Sequence, residues 1–402
     1  MKHGPLAGMK VLELAQIMAG PTCGVMLADL GADVIKVEKL PGGDDTRGYR
    51  EDTAHRIPPS FAMLNRNKRG IALNLKKPEG VAVLKRMAAQ ADVLIENYRA
   101  GTMDKLGVGY EALRAINPAL IYCSISGYGR TGPMADKGGF DLIAQAFGGI
   151  MSVTGESGGA PMKPGNSVAD INAGLLAVIG IQAAYVERLR TGQGQYVDTS
   201  LFEASLQQMY WFAAIYFATG RSLGGAGSGH PLIAPYQAFR AADQWITIGG
   251  ANQANWHRIA DLLGHPEWKE DPRFLAGENR KANEKVLADL IGEILVTQPA
   301  AYWLDKLDAV GVPAGPVNTI GQALAHPQAA ARDMVVTVDH PSAGPMRALG
   351  LPVKLSNLPP GQPTPPPLLG EHTRAVLADY GFTADEVEDL LACGAVTETS
   401  AT

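Results

Sequence analysis

Strand-like and helix-like segments alternate through the first two hundred residues, and that alternation restricts the fold more than any other feature of the chain. Residues 11–14 read as a short strand, 21–30 as a helix with Pro21 in its first turn, and 33–38 as a second strand. Pro is tolerated at a helix start, where its missing N–H would have had no partner. Two strands joined through a helix read as a βαβ unit with a parallel pair, since parallel neighbours need such a crossover. Strands at 71–75, 92–96, 120–124 and 195–199, with helices at 80–90, 110–116 and 141–147 between them, continue the pattern. The expectation is an α/β protein with a mainly parallel sheet covered by helices on both faces.

Past residue 225 the pattern changes. Residues 236–240 and 245–249 read as a hairpin, and 252–263, 279–296 and 300–309 as helices, which makes about 225–325 a smaller α+β domain. Residues 201–218 read as one helix carrying the chain away from the first domain. The run Gly224-Gly-Ala-Gly-Ser-Gly229 reads as a mobile loop or hinge. Further on, 334–338 reads as a strand, 359–367 as a proline-rich extended segment, and 374–380 with 384–393 as a terminal helix pair.

A net charge of -5 over 402 residues argues against broad nucleic-acid binding but allows a local basic patch. Lys36, Lys39, Arg47, Arg66, Lys68, Arg69, Lys76 and Lys77 crowd one short region, mostly in loops at strand ends. Open α/β sheets bind ligands at such ends, and these cations suit phosphate groups. Cys23, Cys123 and Cys393 lie too far apart for a metal motif or a disulfide framework, which fits a reducing compartment. The first residues lack a charged-then-apolar leader, and the longest apolar run, 175–186, reads as too short for a membrane span. A soluble, cytoplasmic protein is expected, with no nucleic-acid or membrane partner.

Chemistry concentrates in Gly165-Asn-Ser-Val-Ala-Asp170-Ile-Asn-Ala-Gly174. Pro161 and Pro164 precede it and block regular structure. The run after it is apolar almost all round and reads as a buried helix. Asp170 stands where this helix begins, so free N–H groups and the helix dipole should keep its carboxylate ionised. It is either an N-cap or a carboxylate nucleophile at the edge of a dry pocket. Other chemistries lack their motifs. Gly20 and Gly24 have the wrong spacing for the dinucleotide fingerprint, and no P-loop or zinc motif occurs. Gly165-Asn-Ser167-Val-Ala169 only approximates a nucleophile elbow, and the prolines before it oppose the strand such an elbow needs.

Several blocks along nearly the whole chain carry a resemblance. They include Leu30-Gly-Ala-Asp-Val-Ile-Lys-Val-Glu38, Gly43-Asp-Asp-Thr-Arg47, Asn65-Arg-Asn-Lys68, Ser126-Gly-Tyr-Gly129, Phe140-Asp141, Thr191-Gly-Gln-Gly-Gln195 and Pro367-Leu-Leu-Gly-Glu-His-Thr373. In this order they resemble the class III coenzyme A transferases, the formyl-CoA and carnitine CoA transferase family. The resemblance places the family's aspartate nucleophile on Asp170. It implies a Rossmann-like large domain built from 1–200 and a return segment 326–402, a linker helix at 201–224, and the small domain at 225–325. It implies two subunits interlocked as a homodimer, and CoA as a substrate with no tightly bound cofactor and no metal.

The implied CoA contacts are Gln16, Ile17 and Met18 in the first loop, Lys39 after the second strand, and Leu73 and Lys76 around the third. They continue with Asn97, Tyr98, Arg99, Lys105 and Lys137. The formyl-CoA enzymes carry His at the Gln16 position, which weakens any inference toward formate, and Arg at the Lys39 position, where Lys can still bind phosphate as a point charge. Within the family the chain resembles succinyl-CoA:dicarboxylate transferases such as the glutarate enzyme, and Arg47 is a candidate partner for a distal carboxylate. The implied reaction moves CoA from an acyl-CoA, expected to be succinyl-CoA, to a carboxylic acid through an aspartyl-CoA thioester. The α-methylacyl-CoA racemases of the same superfamily pair the aspartate with a histidine. Phe140 stands in that place here and cannot move a proton. A CoA-binding protein without catalysis is the contrasting alternative.

Overall fold

The computed structural model describes residues 3–49, 57–358 and 361–399. Part of the polar loop after the second strand and the first two residues of the proline-rich segment lie outside the described residues. The chain forms two compact units. The larger contains Met1–Gly149, Gly165–Met209 and Pro327–Thr402; the smaller contains Ile150–Pro164 and Tyr210–His326.

In the larger unit the strands are β1 (Lys10–Glu13), β2 (Asp33–Lys39), β3 (Lys68–Leu73), β4 (Val93–Glu96), β5 (Ile121–Ser126) and β6 (Tyr196–Ser200). They lie in the order β3-β2-β1-β4-β5-β6, and every neighbouring pair is parallel. Residues Val11, Leu12, Val34, Ile35, Ile71, Val93, Leu94 and Ile121 are fully buried, as strands covered on both faces require. The two-residue strand Val396–Thr397 pairs antiparallel with β3 and closes that edge, which hydrophobic periodicity alone did not predict. The order in which strands are added reverses between β1 and β4, a switch point of the kind at which open α/β sheets bind ligands.

The helix Val168–Thr191 packs over β5, β6 and the helix Ala19–Asp29. Small residues make this close: a Cβ added to Gly174 would come within 2.5 Å of the Ala19 carbonyl oxygen. Gly192 ends the helix in the left-handed region, at φ 72°, a conformation glycine adopts without strain. Two expectations are corrected here. At 24 residues the helix is long and apolar enough, by length and composition, to cross a bilayer. It is also not buried all round. Ala173, Ala177, Ile181 and Ala184 face inward, while Leu175, Ile179, Val186 and Leu189 form an exposed apolar stripe. The sequence could not distinguish the two faces because both are apolar.

Two further elements differ from expectation. The helix read at 201–218 is broken into Leu201–Gln207 and Tyr210–Thr219, at the point where the chain leaves the larger unit. The strand read at 334–338 is Val335–His340, one arm of a hairpin whose other arm is Gly344–Leu349.

The smaller unit carries an antiparallel sheet of Tyr236–Arg240, Trp245–Gly249 and Ala314–Pro316. Helices Gln253–Leu262, Glu284–Leu295 and Ala300–Ala309 cover it, with Trp256, Phe274, Leu287 and Ile291 in the core. The Gly224–Gly229 run lies against the backbone at Gly155. The Gly227 N–H donates to the Gly155 carbonyl at 2.8 Å, and a Cβ on Gly225 would lie 2.3 Å from that oxygen. Glycine is needed there for close backbone approach as much as for freedom.

Candidate active site

Because β1 to β4 are parallel, the loops that follow them share one edge of the sheet. Gln16, Ile17 and Met18 follow β1, Lys39 ends β2, Leu73 ends β3, and Asn97 to Arg99 follow β4. At the switch point the Gln16 N–H donates to Asn97 Oδ1 at 2.9 Å, and Asn97 Nδ2 donates to the Gln16 carbonyl at 2.8 Å. The Asn97 side chain thus acts as a strut between two loops. Ile17 has φ 67°, a strained value for a β-branched residue. Its N–H donates to the Asp44 carboxylate at 3.2 and 3.3 Å, which helps hold the strained turn. Gln16 Oε1 is buried with no hydrogen-bond partner among the described residues.

Beneath this turn lies a network of buried charges. Lys36 Nζ lies 3.0 Å from Glu13 and 2.8 Å from Asp44, and donates to the Ala15 carbonyl. Lys68 Nζ lies 2.6 Å from the other Glu13 oxygen. Burial alone would push the Asp44 carboxyl up, but Lys36 and the Thr46 hydrogen bonds hold it down at about 2. Burial would likewise lower Lys36, yet Glu13 and Asp44 keep it above the ordinary lysine value. For Lys68 burial wins, and its ammonium is pulled down to about 8 despite Glu13.

This network corrects the reading of the basic cluster as a phosphate site. Lys36 and Lys68 are buried, Arg66 pairs with Asp29, and Arg69 pairs with Asp33 at 2.6 Å. Arg47 forks onto Glu38 with two bonds of 2.7 Å and stacks on Phe61, so it is not available for a substrate carboxylate. Two of the expected phosphate contacts remain exposed cations on this edge. Lys39 Nζ is held by Asp45 at 2.5 Å, while Lys76 has no side-chain partner among the described residues.

Leu73 is fully buried in the core, which limits any ligand contact to its backbone. The Tyr98 ring is half-buried, and burial pushes its hydroxyl up to about 12. Arg99 and Lys105 are exposed beside a cleft of about 200 Å³ lined by Glu96, Arg99, Asp104, Tyr110 and Arg130. Lys137 is exposed next to Gly138, which packs against the Arg99 guanidinium. A larger hollow of about 790 Å³, lined by Asp29, Arg66, Asn67 and Arg332, lies at the opposite edge, where β2 and β3 begin.

Asp170 is the third residue of its helix, one turn before Gly174, which packs against Ala19 at the end of the first loop. The cap comes from elsewhere. The Asp141 carboxylate, which begins the helix Asp141–Phe147, accepts from the Ala169 N–H at 3.0 Å and the Asp170 N–H at 3.4 Å. Gln145, one turn further on, donates to the second Asp141 oxygen at 2.6 Å. Burial, and then repulsion from Asp141, push the Asp170 carboxyl up to about 7. The expectation that the helix start favours its ionised form is therefore corrected: Asp141 takes the N–H groups that would have stabilised it. Sequence reasoning treated Asp141 only as part of a family block. The signal was an acid in a helix first turn with Gln four residues on, a spacing that puts both on one face.

A family model, CoA-transferase family III, matches residues 6–373. The succinyl-CoA:glutarate CoA-transferase of Mus musculus is 36% identical over 393 residues, covering 98% of this chain and 90% of its own. The succinyl-CoA--D-citramalate CoA-transferase of Chloroflexus aurantiacus is 37% identical over 390 residues, covering 96% and 97%. The crystal structure of a CAIB/BAIF family protein from Brucella suis superposes with a TM-score of 0.84 at 41% identity, covering 94% of this chain and 100% of that one. This chain belongs to CoA-transferase family III and is an enzyme of that class, acting on CoA thioesters.

Proposed function

We propose that the protein transfers CoA from succinyl-CoA to a dicarboxylic acid through an aspartyl-CoA thioester on Asp170. The observation that carries this reading is the Asp170 carboxylate: it is largely buried, receives no hydrogen bond from a described residue, and sits one turn from the loop after β1. An oxygen so unsatisfied is a stronger nucleophile than one tied into a cap. One Asp170 oxygen attacks the succinyl thioester carbonyl; the C–S bond breaks, leaving a mixed anhydride and CoA thiolate. The thiolate attacks the aspartyl carbonyl and expels succinate, so Asp170 now carries CoA. The acceptor carboxylate attacks that thioester, and the displaced thiolate attacks the acceptor side of the new anhydride, which regenerates Asp170. No step consumes water or ATP, and water near the anhydride would waste it.

The curated relatives named above support succinyl-CoA as donor, and their different acceptors keep the dicarboxylate open. CoA would lie along the edge of Gln16–Met18, Lys39, Leu73, Lys76 and Asn97–Arg99, with Lys105 and Lys137 at its far end. No tightly bound cofactor or metal is needed. We also propose a homodimer, interlocked as the family resemblance implies. The exposed stripe of Leu175, Ile179, Val186 and Leu189 is the kind of surface a second subunit covers. A monomer at micromolar concentration in sedimentation would overturn it.

The mechanism is tested by incubating enzyme with succinyl-CoA and then borohydride, which reduces an aspartyl thioester to an alcohol. The peptide containing Asp170 is expected to carry that mass change. An unmodified Asp170 peptide in enzyme that still exchanges labelled succinate would overturn the assignment.

A further inference from the structure

We propose that Asp141 is a positioning residue for the reaction: it caps the long helix in place of Asp170 and so leaves both Asp170 oxygens free to attack. This rests on Asp170 being the nucleophile. A carboxylate in the first turn of a helix normally folds back onto the free N–H groups there. Such a carboxylate has its lone pairs engaged and its charge spread, which lowers its nucleophilicity. Here the N-cap residue, Ser167, makes no side-chain cap bond, and a second carboxylate, from another helix, takes the Ala169 and Asp170 N–H groups. Asp141 is itself fixed, being buried and bonded to Gln145 through its other oxygen. The two carboxylates have divided the work: one satisfies the helix end, the other keeps its oxygens unbound.

The same arrangement sets when Asp170 can react. The elements packed against the long helix bring other ionisable groups: Cys23 and Asp29 from Ala19–Asp29, Tyr122 and Cys123 from β5, Tyr196 and Asp198 from β6, and Glu203 from Leu201–Gln207. Glu187, Arg188 and Arg190 stand at its far end. Of all these and Asp141, only Asp141 adds to burial in raising Asp170. Asp141 therefore both frees the nucleophile and holds back its ionisation, and turnover should rise as pH passes through about 7.

Two variants separate these effects, assayed by exchange between succinyl-CoA and glutarate from pH 5.5 to 9. Asp141→Asn keeps an oxygen on the two N–H groups and removes the charge. Its acid limb in kcat/KM for succinyl-CoA, which reports the free enzyme, is expected to move down by about one pH unit or more, because the repulsion is gone. Asp141→Ala removes the cap as well, so Asp170 is drawn onto the helix end. Its kcat is expected to lie at least about tenfold below that of Asp141→Asn at pH 8, with KM for succinyl-CoA changed much less. An acid limb of Asp141→Asn that stays where the wild type has it would overturn the proposal. So would equal kcat for the two variants. If Asp141→Ala does not fold, the acid limb of Asp141→Asn decides alone. Borohydride trapping on wild-type enzyme keeps the two claims apart. Trapped Asp170 with unmoved Asp141 profiles defeats this inference only; an untrapped Asp170 defeats the nucleophile itself.

Discussion

Two groups of carboxylates lie within the larger unit, treated in opposite ways. Under the first loop, Glu13 and Asp44 face Lys36 and Lys68 at 2.6 to 3.0 Å, and nearly every oxygen is answered by a cation or an N–H. At the start of the long helix, Asp170 faces another acid and, among the described residues, no cation. In the first place Asp44 is held down at about 2; in the second, burial and Asp141 lift Asp170 to about 7. Paired charge fixes geometry, because breaking any contact strands its partner in a poorly solvated site. Unpaired charge stores reactivity. The comparison separates carboxylates that hold the loops in shape from the one that the proposed mechanism uses.

The largest effect expected from this contrast is on Asp170. Replacing it with Asn keeps the shape but removes the oxygen proposed to attack, and label exchange should fall by at least about a thousandfold. Circular dichroism should show the fold intact. Near-normal exchange by Asp170→Asn would erase the distinction between the two groups.

Next in size is the network. Lys36→Met leaves Glu13 and Asp44 without their shared cation, and the Ile17 turn without its firmest support. Unfolding free energy in urea should drop by roughly 3–5 kcal/mol, the range for a broken buried pair. A loss below about 1 kcal/mol would mean that water reaches these groups and that the network does not hold the turn.

The contrast also predicts an opposite effect on stability at the other site. With the Asp170 carboxyl at about 7 in the folded chain and near 3.8 when unfolded, the folded state holds a proton that the unfolded state has lost between those values. Stability therefore declines as pH rises from about 4 to 7 and is level on either side, by proton linkage. Asp170→Asn removes this decline and should be more stable than wild type at pH 8, by roughly 1–3 kcal/mol after solvent relaxation. Thermal melts of both proteins at pH 5 and pH 8 measure it. Equal wild-type and variant melting points at pH 8 would show Asp170 to be better solvated than its surroundings imply.

The two groups also differ in how legible they were in sequence. The parallel sheet was readable because each strand is an apolar run closed by glycine or polar residues; prolines and an apolar helix marked where Asp170 stands, while its proposed role came from the family resemblance alone. The roles of the cations were not. Lys36 and Lys68 sit inside strands, where alternation points them to one side of the sheet, but nothing local says that Glu13 waits on that side. Arg47 looked free because its partner, Glu38, lies in another element, nine residues back. The role of Asp141 was hidden for the same reason: its partners are backbone N–H groups 28 and 29 residues on. Local pattern reveals elements, while pairing between elements appears only once the sheet order brings their ends together.

The smallest effect separates two exposed lysines that the sequence had made equivalent. Lys39 and Lys76 both lie at the edge of the sheet where CoA is proposed to bind, and both were expected to bind phosphate. Lys39 already has Asp45 at 2.5 Å, with both side chains about half exposed. To meet a phosphate it must leave that carboxylate, so part of the attraction is cancelled by the pair it gives up. Lys76 gives up no such partner. Lys76→Ala should raise KM for succinyl-CoA by roughly tenfold, and Lys39→Ala by only about two- to threefold, since exposed pairs are worth at most about 1 kcal/mol. Neither should change KM for the free acid, and the Lys76 effect should shrink as salt rises, because an exposed cation is screened. Asp45→Asn supplies the cross-check: freeing Lys39 should lower KM for succinyl-CoA slightly. If Lys39→Ala proved the more damaging change, Asp45 would be acting as a holder that presents the ammonium to the nucleotide, and the pair would belong with the fixed network rather than with the free cations.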